Sequence, residues 1–440
     1  MKIGILGFGI VGKSALKFLS QNGFEPGVLD KIELSEKASL TGFFDLYDKV
    51  LVSPGIDLKK FFDTKDLEKY QKKTTCELDF FSDFFKKKTI AITGTLGKTS
   101  ITSLLSSVLP NSCAAGNIGV GMLDMVALQE ELDSVVLELS SFQLELSKKF
   151  APDVAIFNNF YPNHLDRHTD LQEYFDAKCK IFEYQKAGQS LLISADILQT
   201  NLRDNLLDKL KRVKSNIYFI SSKEKINKID LEKYSVFYEQ DNFLFLNEKK
   251  IFDLSFLPDV SFKQNWVFIL AGYYLMGLDF TKNILLKNKF NNKNNTQEHR
   301  LELFHTNNNI NFYNDSKATV IQSTQAAIKK IEQNNKPIIL ILGGTSKGVD
   351  RSGFLEDLYK IKNLKSIICF GDIVQELEPQ NTIVCFDLES VVKKIKKLAQ
   401  PGDQVLFSPS GASFDLFKNY QERGQKFKKL ILCRFIDKKR

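Results

Sequence analysis

The sequence predicts an α/β protein of three domains, at 1–86, 87–297 and 298–440, each built on a mostly parallel sheet. Short apolar runs rich in Val, Ile and Leu alternate with helix-period segments along the 440 residues, the pattern of strands covered on both faces by crossover helices. Three blocks can be read this way, each opening on a strand followed by a glycine-bearing turn. The run KNKFNNKNNTQE, Lys287 to Glu298, is polar, Asn-rich and aperiodic, and marks a linker before the last block.

In the first block, a strand over Lys2 to Leu6 runs into Gly7-Phe8-Gly9-Ile10-Val11-Gly12, then a helix, then a strand ending at Asp30. A further strand, Lys49 to Val52, ends in Ser53-Pro54-Gly55. One lysine precedes an apolar run here, as in a signal peptide, but three glycines and Lys13 fit a strand, turn and helix better. The second block has strands at Thr89 to Thr93, Ser134 to Leu139, Val154 to Phe157 and Ser190 to Ser194. Between about 215 and 262 the pattern is short and irregular, and reads as a small β-rich insertion. The third block has strands near 310–314, 337–342, 366–370, 382–386 and 404–407. No internal repeat is visible.

Composition narrows the function classes. A hydrophobic content of 43% suffices for ordinary globular cores. Of 61 basic residues against 53 acidic only eight are arginine, so the charge of +8 is a lysine-rich surface rather than a nucleic-acid reader. Six scattered cysteines without a C-x-x-C pair suit a reducing cytoplasm and no structural zinc. The longest uncharged apolar run outside the N-terminus, Trp266 to Leu278, is shorter than the roughly 20 residues a membrane span needs.

In parallel sheets, ligands sit beyond the carboxyl ends of strands. Gly7, Gly9 and Gly12 with Asp30 fit a dinucleotide fingerprint, or a tight strand-to-helix turn with no ligand. The stretch TIAITGTLGKTSITSL, Thr89 to Leu104, carries a Gly-x-x-Gly-Lys-Thr turn between strand and helix, the context of a phosphate loop. There Lys98 would meet the β- and γ-phosphates and Thr99 would ligate Mg²⁺. Glu138 ends an apolar strand and is a candidate metal ligand or an exposed strand end. His164 and Asp166, in NNFYPNHLDRH, follow the next strand and are expected at the same sheet edge as Thr99 and Glu138. In TDLQEYFDAKCKIFEYQ, Lys178 sits inside a stripe of Leu171, Tyr174, Phe175, Ile181 and Phe182, while Lys180 projects from the charged face. Lys178 either snorkels or is held there as a neutral amine.

Together ITGTLGKTS, GNIG at Gly116 to Gly119, ELSSFQLE, NHLDRH with Lys178, EHR at Glu298 to Arg300, NDSKAT, GGTSKGVD and SPSGASFDLFKNYQERG strongly resemble the Mur ligases, over Ile5 to Phe427. The last motif is similar to that of the D-glutamate-adding branch. The resemblance implies a Rossmann-like N-terminal domain holding a UDP substrate, a central P-loop ATPase-type domain, and a Rossmann-like C-terminal domain binding D-glutamate. It implies that ATP phosphorylates the lactoyl-alanine carboxylate of the UDP-sugar, and that the amine of D-glutamate attacks the acyl phosphate. Domain closure would keep water from that intermediate.

By the same resemblance, Gly7, Gly9, Ile10, Val11, Gly12, Asp30, Lys31, Gly55 and Asn117 would hold the UDP substrate. Gly94, Thr95, Gly97, Lys98, Thr99, Ser100, Asn265, His299, Arg300, Asp315 and Lys317 would hold ATP. Thr319, Lys347, Ser413, Phe414 and Tyr420 would grip D-glutamate. Thr99, Glu138, His164 and a carbamylated Lys178 would ligate two magnesium ions, with Lys98, Glu138, His164 and Lys178 catalytic. The implied partners are small molecules only, with the chain a cytoplasmic monomer. Leu96 and Val320 stand where the family usually has asparagine, and Val11 where a threonine touches the nucleotide. Gln264 and Phe268 replace a common histidine and asparagine, leaving Asn265. A related ATP-dependent ligase adding another amino acid, either another Mur ligase or a folylpolyglutamate synthase, an NAD-dependent dehydrogenase resting on Gly7 to Gly12 with Asp30, and a non-catalytic nucleotide-binding protein are the competing readings.

Overall fold

The computed structural model describes residues 1–30, 37–222, 233–255, 257, 264–280, 298–377 and 382–435. Lys31 and residues 287–297 of the Asn-rich run lie outside them. The chain divides into two compact units: in their described parts, the first comprises Met1–Tyr161, Arg167–Pro258 and Lys263–Asn291, the second Pro162–Asp166, Asp259–Phe262 and Asn292–Arg440.

The first unit holds two sheets. One is formed by β1 (Ile3–Leu6), β2 (Gly27–Leu29), β3 (Lys49–Val52) and β4 (Thr74–Thr75), in the order β2-β1-β3-β4 and parallel throughout. The other runs from β5 to β13: β5 (Lys88–Thr93), β6 (Ser112–Gly116), β7 (Ser134–Glu138), β8 (Val154–Phe157), β9 (Ser190–Ser194), β10 (Asn216–Ser222), β11 (Ser235–Gln240), β12 (Phe243–Leu246) and β13 (Lys249–Asp253). Its order is β13-β12-β11-β10-β9-β8-β5-β7-β6, parallel from β6 to β11 and antiparallel beyond. The segment expected as a small β-rich insertion does form strands where described, and makes up the outer edge of this sheet. Its irregular look comes from the antiparallel edge strands, which are only half-buried and so lack an apolar run.

Strand β5 is the first of its sheet in chain order yet lies inside that sheet, flanked by β7 and β8. Parallel sheets bind ligands where the strand order reverses, and the phosphate-loop motif follows β5 directly at that point of the order. The two sheets share one core: Ile3, Leu51 and Phe81 join the same buried cluster as Leu137 and Phe157. Polar ties reinforce it. Glu77 Oε1 accepts from Met122 N at 2.7 Å, and Asp79 Oδ1 accepts from Ser147 Oγ at 2.8 Å.

The second unit is built on β14 (Glu302–Asn307), β15 (Ile310–Asn314), β16 (Ile338–Gly343), β17 (Leu364–Phe370), β18 (Ile383–Cys385) and β19 (Gln404–Phe407), in the order β14-β15-β19-β16-β17-β18. Only β14 is antiparallel to its neighbour. Apolar clusters cover both sides of β16, with Ile339 and Ile341 in one and Leu340 and Leu342 in the other, as a doubly covered parallel sheet requires. All six cysteines are free thiols, and no described helix is long and apolar enough to cross a membrane.

Candidate active site

The loop after β5 is shaped by two glycines that no other residue could replace cheaply. Gly94 has φ +147°, and a Cβ there would lie 1.7 Å from Asn158 Oδ1. Gly97 adopts the left-handed conformation as N-cap of the helix Lys98–Val108, with the Asn265 side chain 3.0 Å from where its Cβ would be. That helix has no acidic residue in its first turn, so the positive end of its dipole is available to an anion. Thr99 and Ser100 lie in this turn.

Two asparagines after β8 hold the loop. Asn159 Oδ1 accepts from Thr95 N at 3.0 Å and Leu96 N at 2.9 Å, while Asn158 Nδ2 donates to Leu96 O at 2.6 Å. Sequence reasoning passed over both, although a polar pair directly after a buried strand at the ligand edge is a signal for such a role. The Leu96 side chain makes no part of this; its backbone does.

Lys98 Nζ folds back on its own loop, donating to Gly94 O at 2.9 Å and Thr95 O at 3.1 Å. Lys178 reaches the same place from the helix Leu171–Glu183. It is 1% exposed, flanked by buried Tyr174, Phe175, Ile181 and Phe182, and its Nζ donates to Gly94 O at 2.9 Å. The Tyr174 ring lies 4.6 Å from that Nζ. Burial, reinforced by nearby Lys98, holds the Lys178 amine well below the ordinary lysine range. The amine is thus buried and easily neutral; it does not snorkel. Lys180 lies on the other face and donates to Glu145 O.

Glu138 closes β7 opposite Ile92 of β5 and Gly116 of β6. It is buried, at 3% exposure, so it is not an exposed strand end. Oε1 accepts from Asn117 Nδ2 at 3.1 Å, and the buried Oε2 has no hydrogen-bond partner. A carboxylate oxygen left dry and unpaired is costly unless a cation completes it. That unpaired carboxylate oxygen is of the kind a magnesium ion takes as ligand.

At β1, Gly7 has φ +89°, and a Cβ on Gly12 would strike Gly7 O at 2.1 Å. Asp30 Oδ1 accepts from Phe8 N at 3.0 Å, and Ser53 Oγ donates to Gly7 O at 2.9 Å. Gly9 and Gly55 face open space, Ile10 is exposed, and half-buried Val11 packs against the core.

In the second unit, Arg300, Asp315 and Lys317 line one cleft with Ser323 and Ala326. Asp315 accepts from Leu301 N at 3.0 Å and Ser408 Oγ at 2.7 Å, and burial pushes its carboxyl up to about 7. His299 is turned inward with φ +65°, its Nδ1 2.8 Å from Asn314 Nδ2; burial lowers its affinity for a proton. Thr319 lines a second cleft with Val320, Ser346, Arg351 and Ser410, and Lys347 Nζ donates to Thr319 Oγ1 at 3.4 Å. Ser413 is buried, Phe414 is 74% exposed, and Tyr420 begins the helix Tyr420–Arg434, with Lys317 Nζ 5.2 Å from its ring. His164 has φ +57° and belongs to this unit, to which its neighbour is tied by a Leu165 N to Lys347 O hydrogen bond of 3.1 Å. Phe268 is buried in its helix, Gln264–Leu275, where it packs rather than faces a ligand.

A glycine-turned nucleotide loop with a buried carboxylate and a buried amine, on a parallel α/β sheet, is the construction of the Mur ligases. The Mur ligase middle domain matches residues 92–259, and the Mur ligase glutamate ligase domain matches residues 299–411. Among solved structures, a pseudomurein peptide ligase type C from Methanothermus fervidus matches with a TM-score of 0.58 at 15% identity, covering 98% of this chain and 99% of that one. A UDP-N-acetylmuramate-alanine ligase from Thermotoga maritima matches with a TM-score of 0.56 at 16% identity, covering 98% of each chain. A UDP-N-acetylmuramoylalanine--D-glutamate ligase from Aquifex aeolicus is 31% identical over 98% of each chain. One from Caldanaerobacter subterraneus is 32% identical over 87% of this chain and 83% of its own. The chain belongs to the UDP-N-acetylmuramoylalanine--D-glutamate ligase family.

Proposed function

We propose that the chain joins D-glutamate to UDP-N-acetylmuramoyl-L-alanine at the expense of ATP, a step of peptidoglycan precursor synthesis, and does so in the cytoplasm as a monomer. The observation that carries the site assignment is the convergence of Lys98 Nζ and Lys178 Nζ on Gly94 O, directly after the strand that pairs with the one ending in the half-satisfied Glu138 carboxylate. Residues 1–86 form the Rossmann-like UDP-substrate domain, 87–297 the P-loop domain, and 298–440 the Rossmann-like amino-acid domain.

The γ-phosphoryl group of ATP passes to the substrate carboxylate, giving ADP and an acyl phosphate. The amine of D-glutamate then attacks the acyl carbon, phosphate leaves with the C–O bond electrons, and the amine loses a proton. Lys98 exchanges its loop carbonyls for phosphate oxygens, a stronger, charge-assisted pairing. Gly94, Thr95, Gly97 and Ser100 cradle the phosphates through backbone N–H groups and hydroxyls, with Asn265 beside them. Arg300, Asp315 and Lys317 serve the nucleotide, and His299 acts by shaping their loop. Gly7, Gly9, Ile10, Val11, Gly12, Asp30, Lys31, Gly55 and Asn117 serve the UDP substrate; Thr319, Lys347, Ser413, Phe414 and Tyr420 serve D-glutamate.

Magnesium, when bound, neutralises the phosphate charge that builds up during transfer. Thr99, Glu138, His164 and Lys178 are the residues to hold two such ions. Lys178 does so as a carbamate: its neutral Nζ adds to the carbon of CO₂ and releases one proton, turning a donor into an anionic ligand.

Oxygen labelling tests the acyl phosphate. With ¹⁸O in the alanyl carboxylate of the UDP substrate, one labelled oxygen appears in the released phosphate. Phosphate released without label would overturn this route.

A further inference from the structure

We infer that Arg167 is a positioning residue for the ligation: it holds the loop after β3, where the UDP end of the substrate binds, against the helix that follows Glu138. This rests on the UDP-substrate reading above and adds to it the side chain that sets the distance from the UDP anchor to the phosphoryl-transfer site.

The Arg167 side chain is 10% exposed. Its Nη2 donates to Ile56 O at 3.0 Å and to Glu145 Oε1, and its Nε lies 3.9 Å from Asp57 Oδ2. The guanidinium carbon stands 4.9 Å from the centre of the Phe142 ring. Ile56 and Asp57 follow β3, whereas Phe142 and Glu145 belong to the helix Ser141–Leu144 and its end, just after β7. One buried cation thus joins segments that lead out of two different sheets. The planar fork of a guanidinium fixes the separation of its partners in a way that a flexible ammonium does not.

Each of the two segments is stiff up to the site it serves. Ile56 N donates to Ser53 O at 2.9 Å, which closes the Ser53-Pro54-Gly55 turn. A Cβ on Gly7 would lie 3.1 Å from Ile56 Cγ1, so Ile56 also abuts the glycine turn after β1. On the other side, the reciprocal hydrogen bonds of Ser140 and Gln143 cap the helix Ser141–Leu144, which leaves little slack between Glu145 and Glu138. A second ion pair acts in the same sense: Lys59, in the turn Leu58–Lys60, meets Glu173 on the helix that carries Lys178. Lys59 is half exposed, so the buried Arg167 is the stronger tie.

The UDP substrate is anchored at one end and reacts at the other. Binding energy from its uridine diphosphate speeds the chemical step only where the anchor is fixed relative to the phosphoryl group. A misplacement of about 1 Å costs about a hundredfold in rate. Arg167 supplies that fixed relation by acting through Ile56 and Glu145.

Steady-state phosphate release by the purified full chain tests this with UDP-N-acetylmuramoyl-L-alanine and with N-acetylmuramoyl-L-alanine, which lacks the anchor. Arg167→Met keeps an apolar stem over Phe142. It is expected to lower kcat/KM for the full substrate by about 30- to 100-fold, while kcat/KM for the truncated one and the KM for D-glutamate each move less than about threefold. Arg167→Lys is expected to recover part of the loss. Glu145→Gln, which leaves the loop after β3 untouched, is expected to lower the full-substrate value alone by about three- to tenfold. Equal losses on both substrates, or an unchanged value for the full substrate, overturn the inference. If thermal melts show that Arg167→Met does not fold, Arg167→Lys and Glu145→Gln decide by the same ratio. Wild-type protein that shows no D-glutamate-dependent release would instead refute the function, and one that uses both substrates equally well would refute the UDP-substrate reading.

Discussion

Lys178 and Lys98 donate to the same acceptor, the Gly94 carbonyl, each at 2.9 Å. Two ammonium groups so placed would repel in a dry setting, so Lys178 gives up its proton first, as the fully buried partner. An amine that loses its proton more readily than an ordinary lysine is thereby held beside Gly94.

Lys178→Met follows from this. Because burial lowers the folded pKa of Lys178, the unfolded chain binds more protons at every pH between that value and 10.5, and stability there rises with pH. Removing the amine should therefore stabilise the protein at pH 7, by about 1–3 kcal/mol, with a smaller gain at pH 10. Catalysis should fall at least about a hundredfold, and short carboxylic acids should restore part of it in Lys178→Ala. Thermal melts at the two pH values and phosphate release with added acetate check both halves; a destabilised Lys178→Met would show that its hydrogen bond outweighs the burial of charge.

Glu138→Gln removes the charge but keeps the shape. Phosphate release should drop by about a thousandfold at saturating magnesium. Asn117→Ala, which frees the carboxylate from its orienting donor, should cost about 10- to 100-fold and raise the magnesium concentration needed for half-maximal rate. A magnesium titration of both variants decides; release unaffected by Glu138→Gln would place the metal elsewhere.

Leu96→Asn should leave activity intact or lower the KM for ATP. The Leu96 N–H and carbonyl, not its side chain, are what Asn158 and Asn159 grip. Asn159→Ala should raise the KM for ATP by about tenfold, because it frees the loop at Thr95 and Leu96. A large activity loss in Leu96→Asn would show that the loop tolerates no polar side chain there.

Much of this site could be read from sequence, and the limit is instructive. The strands Val154–Phe157, Ser190–Ser194, Ile310–Asn314 and Gln404–Phe407 match their apolar runs, because strands buried on both faces announce themselves as continuous hydrophobic stretches. Lys178 stood out as the wrong residue in an apolar helical stripe. β6, SCAAG, and β4, TT, did not stand out, since small or polar residues at a sheet edge carry no such pattern. Asn158 and Asn159 were silent for another reason: what they do depends on backbone carbonyls and amides brought together from distant segments, which residue type alone does not encode.

Glu77 yields a stability prediction away from the chemistry. Burial pushes its carboxyl up to about 7, and Oε2 has no hydrogen-bond partner, while Oε1 accepts from Met122 N and Leu123 N. With the folded pKa above the ordinary 4.5, the folded chain binds the extra proton between those values, so stability contributed here falls as pH rises through that window. Glu77→Gln should raise the melting temperature at pH 8 and change it little at pH 5. An equal shift at both would mean that the carboxyl does not titrate in this range.

The central claim is an amide-forming ligase that selects a D-configured dicarboxylic amino acid. Phosphate release measured with ATP, Mg²⁺, UDP-N-acetylmuramoyl-L-alanine and D-glutamate, each omitted in turn and D-glutamate exchanged for L-glutamate, tests it most directly. Release only with all four present and the D-isomer is the predicted result; no release, or equal release with L-glutamate, would contradict it.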